Sequence, residues 1–301
     1  MSEPAASHHE TGDGERLRRP IDPGVDIGHV HLKLADLDRA LAFYCGVLGF
    51  ELTQRRDQAA FVSAGGYHHH IGLNTWESRG GSPPPPGSTG LYHTAIRYPT
   101  RAALADALRR LIAAGIRLDG ASDHGVSEAL YLADPDGNGI EIYRDRPRAE
   151  WPFVSGQLRM GAEPLDVDGI FAEADGVNGR GLASGTVIGH VHLHVSRLAD
   201  AERFYVGVLG FELMQRYGPS ALFVSAGGYH HHIGLNTWAG VGAPPPPPGA
   251  IGLRHFVVRL PNAAAREAVA DRIRAAGIAF ETRDDGLLVR DPAGNAILLA
   301  V

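Results

Sequence analysis

The chain has 301 residues, 44% of them hydrophobic, and a formal net charge of −6, which is typical of a globular protein with two domains of ordinary size. Without a cluster of lysine and arginine, this charge argues against nucleic acid and anionic membranes as partners and favours a small substrate. The single cysteine, Cys45, excludes an intrachain disulfide or a cysteine-rich metal site and predicts a reducing, cytoplasmic environment. No apolar run is long enough to span a bilayer, and the polar residues 1–24 predict a disordered tail.

The first ordered segment predicts a βαβββ module. Residues 27–34 alternate in polarity and place His29 and His31 on one face of a strand. Asp36 is suited to cap a helix over residues 37–45, which a Gly-Val-Leu-Gly stretch ends. Further strands are expected over residues 50–55, 58–64 and 67–75.

A second module repeats this order with different residues. Thr100 is the expected cap of its helix, and a hairpin between its last two strands places Tyr131 beside Glu141. The predicted elements are a strand over residues 91–98, a helix over 102–114, a strand over 124–132, a tight turn over 134–138 and a strand over 139–143.

A connector over residues 149–185 separates the two halves of the chain. It contains a helix candidate at residues 165–174 and a glycine-rich linker at residues 176–185. The module pattern then returns twice within residues 186–301, so that four modules make two domains, the first over residues 25–148. Proline runs within each domain, residues 83–86 and 244–248, predict extended loops that are either lids or stiff connectors.

One stretch of sixteen residues occurs twice without change, at residues 61–76 and 223–238, which indicates an internal duplication. It contains three adjacent histidines, His68, His69 and His70 in the first copy. If the run is a strand, alternation sends the middle histidine to the face opposite the other two. The three imidazoles indicate metal or proton chemistry, and the competing interpretation is a half-exposed polar strand.

Aligning the two halves shows which polar residues recur. His29 corresponds to His190, His70 to His232, His93 to His255 and Asp134 to Asp291, whereas Glu141 corresponds to Leu298. If consecutive modules share a sheet, His29, His93 and Glu141 converge. Two imidazoles and one carboxylate are the facial triad of non-haem Fe(II) enzymes, and the same set suits Mn(II) or Zn(II). A single strand histidine is, however, more often a half-buried residue than a ligand.

The chain resembles the vicinal oxygen chelate superfamily and, within it, extradiol ring-cleaving dioxygenases of the catechol 2,3-dioxygenase type. This resemblance implies an α+β fold in which four βαβββ modules form two domains with cupped mixed sheets. The motifs that carry it are Gly28-His-Val-His-Leu, Asp36-Leu-Asp-Arg-Ala-Leu-Ala-Phe-Tyr, Leu48-Gly-Phe, His69-His70, Tyr92-His93, His124-Gly-Val-Ser-Glu-Ala-Leu-Tyr131 and Asp134-Pro-Asp-Gly-Asn-Gly-Ile-Glu-Ile-Tyr143.

The resemblance also implies site residues. His29, His93 and Glu141 match the metal ligands, with His31 as an alternative first ligand, and His70 matches the acid–base histidine. His124 and Tyr131 match donors that hold the substrate oxygens, although two residues are missing between that motif and the turn. For His68 and His69 the expectation is strand polarity or a hydrogen bond to a ligand.

The implied reaction uses Fe(II), or alternatively Mn(II), to bind a catechol through its two adjacent oxygens, which the dication favours as anions. Dioxygen would bind beside the substrate, and the ring would open next to the diol. A histidine that titrates near neutral pH would remove and return a proton. The edge strands of such modules commonly pair, which favours a homodimer.

The chain departs from this family in the position of the triad. Two-domain extradiol enzymes generally carry iron in the second domain, whereas here Leu298 stands there in place of a glutamate. The second domain is therefore expected to be inert or to bind metal weakly, serving structure, dimer contacts or a pocket wall. Two alternatives stay open: module two packs against module three and His190 replaces His29, or a partial metal site uses His190, His192, His232 and His255.

Two other functions are compatible with the fold. Glyoxalase-type isomerases use a further carboxylate on the last strand of the first module, but that strand has no acid before Glu77. A non-enzymatic protein that sequesters an aromatic drug would need an aromatic cleft and no intact triad. The fold alone does not separate these functions. The choice therefore depends on the candidate triad, which favours the dioxygenase.

Overall fold

Residues 20–174 and 181–301 are described by the structure, a computed structural model. The strands are β1 (Asp26–Lys33), β2 (Glu51–Arg55), β3 (Ala59–Ser63), β4 (Ile71–Asn74), β5 (Gly90–Tyr98), β6 (Gly120–Asp123), β7 (Ser127–Ala133), β8 (Gly139–Asp145), β9 (Phe153–Val154), β10 (Gln157–Leu158), β11 (Val187–His194), β12 (Glu212–Tyr217), β13 (Ala221–Ser225), β14 (Ile233–Asn236), β15 (Gly252–Arg259), β16 (Phe280–Arg283), β17 (Gly286–Arg290) and β18 (Ala296–Ala300). The helices are α1 (Leu37–Phe43), α2 (Arg101–Ala113), α3 (Val167–Ala172), α4 (Leu198–Glu202) and α5 (Ala263–Ala275). π-Helical turns over Tyr44–Leu48 and Arg203–Val208 extend α1 and α4, and Arg148–Glu150 forms a 3₁₀ turn.

Side-chain caps fix where three of the helices begin. Asp36, Thr100 and Asn262 each accept a hydrogen bond from the backbone N–H three residues later, at 2.9, 3.1 and 2.9 Å. Each cap satisfies a backbone donor that the first helical turn leaves without a partner. The predicted caps of the first two modules are confirmed. None of the helices in the described residues has the length and apolar character that a membrane span needs.

The strands form two eight-stranded mixed sheets, as the α+β prediction requires. The terminal sheet has the order β16-β17-β18-β15-β1-β4-β3-β2 and combines the first and fourth modules. The central sheet has the order β12-β13-β14-β11-β5-β8-β7-β6 and combines the second and third modules. Alternation along β1 buries Val30 and Leu32 in the apolar core, and His29 and His31 point to the opposite, concave face.

The predicted pairing of consecutive modules within one sheet is wrong. Antiparallel pairing instead joins β1 to β15 in the terminal sheet and β5 to β11 in the central sheet. Consecutive modules share an apolar core and also meet through two buried hydrogen bonds, in which the Tyr44 hydroxyl donates to Asp134 and the Tyr205 hydroxyl donates to Asp291, both at 3.0 Å. Each sheet therefore takes strands from both halves of the chain.

Several segments differ locally from the prediction. The histidine runs lie in turns that precede β4 and β14 and are not part of those strands. The connector contains the hairpin β9–β10 as well as α3, and Ile21, expected in the tail, is buried and donates its backbone N–H to the Gly210 carbonyl oxygen at 2.7 Å. Residues 1–19 of the predicted tail and residues 175–180, which include half of the predicted glycine linker, lie outside the described residues.

Replacing Tyr44 with phenylalanine should lower the free energy of unfolding by about 1.5 to 3 kcal/mol, the usual contribution of a hydrogen bond to a charged group. The buried Asp134 carboxyl group accepts from the Tyr44 hydroxyl, from the backbone N–H groups of Asp136 and Asn138, and from the Asn138 side chain. Urea unfolding measures the change, with an unaltered dependence on denaturant concentration. The exposed Tyr217 gives the control variant, Tyr217→Phe. Equal losses in both variants would contradict a role for the Asp134 contact.

Candidate metal centre

Three strands of the central sheet bring His93, Glu141 and His190 together. His93 lies on β5, Glu141 on β8 and His190 on β11, and β5 runs between the other two strands. The Nε2 atoms of His93 and His190 lie 3.0 Å and 3.2 Å from the same Glu141 oxygen, Oε2. All three residues are buried, and one donor atom from each lies within 4.8 Å of the other two.

His29 is not part of this cluster, so its predicted grouping with His93 and Glu141 is wrong. It lies on β1 in the terminal sheet, together with the alternative candidate His31. The physical reason is the pairing of β5 with β11, which places His190 where His29 was expected. The observed cluster is the one that the alternative pairing of modules two and three predicted.

The donor set fits a first-row divalent metal. Such ions bind nitrogen and oxygen at about 2.0 to 2.2 Å, so that adjacent ligands of an octahedral ion lie about 3 Å apart. The distances from Glu141 to the two imidazoles match this spacing. The His93 Nε2 atom is buried, and its 3.0 Å contact with Glu141 lacks the geometry of a hydrogen bond, which leaves its lone pair available for an ion.

The electrostatics of the cluster also favour metal binding. Burial by itself raises the pKa of Glu141, but the imidazoles of His190 and His93 hold that pKa well below its usual range. Burial lowers the pKa of His190 to about 4. At neutral pH the carboxylate is therefore ionised and the His190 ring neutral, which are the forms that coordinate metals.

The three donor residues line a cavity of about 230 Å³. Its wall is largely aromatic and apolar, with Phe223, Trp238, Tyr92 and Met160 among the lining residues. A cavity of about 150 Å³ suffices to hold benzene, so one substituted aromatic ring fits. Glu141 is the one carboxylate among the residues that line this cavity in the described part of the chain.

The predicted donors His124 and Tyr131 line the same cavity. Tyr131 pairs with Glu141 across β7 and β8, as the hairpin predicts. His124 Nδ1 lies 2.6 Å from the Gly161 carbonyl oxygen and must donate to it, so in the neutral ring Nε2 accepts the Tyr131 hydroxyl hydrogen, at 2.6 Å. Burial and the Glu141 charge raise the pKa of Tyr131 well above its usual range.

The connector closes one side of this cavity, which the sequence did not indicate. Met160 and Gly161 line the cavity, and the Gln215 side chain accepts from the Met160 backbone N–H and donates to its carbonyl oxygen, at 2.6 and 2.9 Å. Trp151, Leu158 and Met160 pack with Val126 in a small apolar cluster. The segment after β8 is therefore a wall of the site and not only a link between domains.

His231, a residue missed by sequence reasoning, lines the cavity at the end of a hydrogen-bonded chain. Its ring centroid lies 4.0 Å from that of His190. Its Nδ1 lies 2.8 Å from Nδ1 of His230, and His230 Nε2 lies 2.8 Å from Oδ1 of Asp145. Burial by itself raises the pKa of Asp145, but the hydrogen bond from His230 and the Arg97 charge hold it below its usual value.

This chain of contacts fixes the tautomers. An ionised Asp145 only accepts, so a neutral His230 ring donates from Nε2 and accepts at Nδ1. His231 must then donate from Nδ1, which leaves a lone pair on its Nε2. Burial and neighbouring imidazoles lower the pKa of His231 well below its usual range, so the ring is neutral. The neutral ring therefore carries a free lone pair at Nε2, although burial makes it a weaker base than an exposed imidazole.

The predicted acid–base residue, His70, does not lie at this cavity. It belongs to the first module, and its Nδ1 lies 3.1 Å from the Ala64 backbone nitrogen and 3.2 Å from the Ser63 hydroxyl. Its counterpart His232 makes the same contacts with Ala226 and Ser225. The structure gives no support for His70 as the acid–base residue, because its ring is hydrogen-bonded to the preceding turn. The neighbouring histidine of the run points into the concave face instead.

The terminal sheet holds a different cluster, in which His29, His31 and His69 each place a donor atom within 4.8 Å of the others. Leu298 is buried there in an apolar group with Leu288 and Val257. Burial lowers the pKa of His29 to about 2 and that of His69 to about 4. The partial site expected from the histidines of the second half does not form, since His190 and His192 lie in the central sheet and His255 in the terminal sheet.

Comparisons with known proteins agree with this architecture. The family model of the Glyoxalase/Bleomycin resistance protein/Dioxygenase superfamily matches residues 26–142 and 187–299. The chain is 46% identical over 284 residues to a catechol-2,3-dioxygenase of Bacillus subtilis (strain 168), covering 93% of this chain and 99% of that protein. It is 32% identical over 136 residues to biphenyl-2,3-diol 1,2-dioxygenase 3 of Rhodococcus globerulus, covering 44% of this chain and 70% of that protein.

The solved structure of glyoxalase I from Zea mays superposes with a TM-score of 0.54 and 16% identity, covering 92% of each chain, and shows the shared fold alone. The family model matches both halves of the chain, and the resemblance predicted from the motifs is confirmed. The chain belongs to the Glyoxalase/Bleomycin resistance protein/Dioxygenase superfamily, which is also called the vicinal oxygen chelate superfamily.

Proposed function

We propose that this chain is an extradiol dioxygenase, which uses O2 to open a catechol-type ring next to its two hydroxyl groups. The observation that carries the proposal is the buried cluster of His93, Glu141 and His190 at a cavity large enough for one aromatic ring. Two imidazoles and a carboxylate are the donor set of non-haem Fe(II) oxygenases. The similarity to catechol-2,3-dioxygenase and to biphenyl-2,3-diol dioxygenases supports the reaction class.

In this proposal His93, Glu141 and His190 hold the metal, Fe(II) or alternatively Mn(II). A bound ion of this kind would supply open coordination positions for the two adjacent substrate oxygens and the redox chemistry that a reaction with O2 needs. The single carboxylate leaves the occupied site with a net charge of +1, which favours an anionic diol. The ligand residues are buried and come from three different strands, so the site is preorganised.

The remaining residues bind the substrate and move its protons. Phe223, Trp238 and Tyr92 surround an aromatic ring and exclude water from it. The Tyr131 oxygen gives its hydrogen to His124 and keeps lone pairs that accept a hydrogen bond from a substrate hydroxyl. His231 accepts a proton at Nε2 and later returns it, while His230 and Asp145 hold its tautomer.

The alternative function, the oligomeric state and the location stay predictions. A glyoxalase-type isomerase receives less support, because the cavity has no second carboxylate among the described residues that line it. The homodimer and the cytoplasmic location also stay predictions.

An oxygen-uptake assay tests the proposed function. Protein purified anaerobically and reloaded with Fe(II) should consume equimolar O2 with catechol or 2,3-dihydroxybiphenyl and form a yellow ring-opened product. Resorcinol and hydroquinone, whose hydroxyl groups are not adjacent, are the matched control substrates and should give no uptake. Reloading with Mn(II) in parallel shows which metal supports turnover. A protein with one bound metal per central site that consumes no O2 with any adjacent diol is not an extradiol dioxygenase.

A further inference from the structure

We propose a second metal site in the terminal sheet, in which His29, His31 and His69 bind a late first-row divalent ion such as Zn(II), with His255 beside them. The inference uses only the geometry of the terminal sheet. It concerns a site other than the one proposed for ring opening, so that either proposal can fail without the other.

The geometry of this cluster is compact. Nε2 of His31 lies 3.1 Å from Nε2 of His69, the spacing that adjacent ligands of one ion have. The ring centroids of His29 and His69 are 4.0 Å apart, and one nitrogen from each of the three residues lies within 4.8 Å of the others. His255 stacks on His31 at 4.3 Å with an interplanar angle of 19°.

Hydrogen bonds among the rings do not satisfy this cluster. In the contact between His31 and His69, two neutral rings share a single N–H, and the buried Nδ1 of His29 has no hydrogen-bond partner. Among the described residues no carboxylate belongs to this cluster, and Leu298 occupies the position that Glu141 has in the central sheet. A buried polar nitrogen without a partner, such as His29 Nδ1, is costly, and binding a cation would remove that cost.

The duplicated segment provides an internal comparison. In the central sheet the middle histidine of the run, His231, is held by His230, which is itself held by Asp145. In the terminal sheet the counterpart of His230 is His68, which is exposed, and the middle histidine His69 contacts His31 instead. Identical residues thus form a proton-transfer chain in one sheet and a cluster of convergent nitrogens in the other.

The donor chemistry selects the kind of metal. Three neutral imidazoles without a carboxylate suit Zn(II), Cu(II) or Ni(II) and are poorly suited to hard ions such as Mg(II). Three histidines with an open fourth position are also a known zinc arrangement. A cavity of about 690 Å³ between the two proline runs reaches His255, which stacks on His31.

Zinc binding to the metal-free protein tests this site. Equilibrium dialysis should give two Zn(II) per chain for the unaltered protein and one for the double variant Glu141→Ala/His190→Ala, which lacks the central donor set. Adding His31→Ala to that variant should weaken the remaining zinc affinity by about 100-fold or more. Losing only a hydrogen-bond partner of a metal ligand already weakens metal affinity by up to about 100-fold, and His31 is a proposed ligand itself. Adding His68→Ala, a matched change in the exposed member of the run, should leave zinc affinity unaltered.

Anomalous diffraction at the zinc edge from crystals of the unaltered protein gives a second measurement that needs no variant. A peak between His29, His31 and His69 is expected, and zinc-soaked crystals without density there would overturn the proposal. One Zn(II) per chain that disappears with Glu141→Ala/His190→Ala would also overturn it. Oxygen uptake is measured separately on protein reloaded with Fe(II) and reports on the central site alone. Two zinc ions per chain by dialysis, together with no oxygen uptake by the Fe(II)-reloaded protein, would support this site and contradict the proposed function.

Discussion

Replacing Glu141 with alanine should abolish measurable ring opening. Losing only a hydrogen-bond partner of a metal ligand lowers activity by up to about 100-fold, and the loss of a ligand itself should lower turnover by more than that. Glu141 is the one anionic member of the buried cluster, and its Oε2 atom contacts both His93 and His190. Its loss leaves two neutral donors and raises the charge of an occupied site. Oxygen uptake after anaerobic reloading with Fe(II), with bound iron measured on the same samples, gives the result.

His190→Ala should have the same effect on oxygen uptake, and His29→Ala should have little. His190 shares the central sheet with His93, whereas His29 lies in the terminal sheet. The two histidines occupy equivalent positions of the first and third modules, which makes this a matched pair of variants. Loss of activity in His29→Ala with activity kept in His190→Ala would contradict the ligand assignment and restore the pairing of consecutive modules.

The variant Asp145→Asn should lower kcat by about 10²- to 10⁴-fold, the usual contribution of a positioned general base. An asparagine amide at this position can donate to His230 Nε2, which reverses the donor and acceptor in both hydrogen bonds of the chain. His230 would then donate from Nδ1 to His231 Nδ1, and His231 would carry its hydrogen on Nε2, where a lone pair is needed. Because Asp145 also contacts Arg97 and Tyr229, thermal unfolding has to be measured in parallel.

Asp26→Asn is the matched control for this prediction. Asp26 forms an ion pair with Arg259, the counterpart of Arg97, but no histidine chain continues from it. Its replacement should leave kcat unaltered. His231→Ala should cost about as much as Asp145→Asn, and the double variant should be little worse than either, since the residues act as one unit. Additive losses of kcat in the double variant would argue against the proton-transfer chain. A loss of kcat in Asp26→Asn as large as that in Asp145→Asn would also argue against it.

The modules could be predicted from the sequence because their signals are local. Alternation in β1 and β5, the caps Asp36 and Thr100, and the turn at residues 134–138 each specify a short segment. The pairing of modules could not, because a strand with one apolar and one histidine face fits either partner equally well. The contacts that decide it, such as Tyr44 with Asp134, join residues far apart in the chain.

The same difference between local and long-range signals explains which residues of the site could be predicted. His93, Glu141, His124 and Tyr131 lie within one module, and the predicted registers bring them to one cavity. His190 depended on the module pairing and was predicted only as an alternative. His231 was missed because strand alternation was applied to a run that forms a turn. Its proton state depends on Asp145, at the end of β8, and nothing in the local sequence connects the two.

The module order also sets the sequence of events during synthesis. Every strand of the central sheet lies within residues 90–236, so that sheet can close while the last module is still on the ribosome. Strand β1 cannot pair with β15 until Arg259, the partner of Asp26, has been synthesised. Arg259 follows Asp26 by 233 residues, which takes roughly 10 to 50 s at ordinary elongation rates. Until then β1 exposes an unpaired edge, which is a template for aggregation. Chains that stall or end after residue 236 should therefore carry a complete central ligand set and be prone to aggregate through β1.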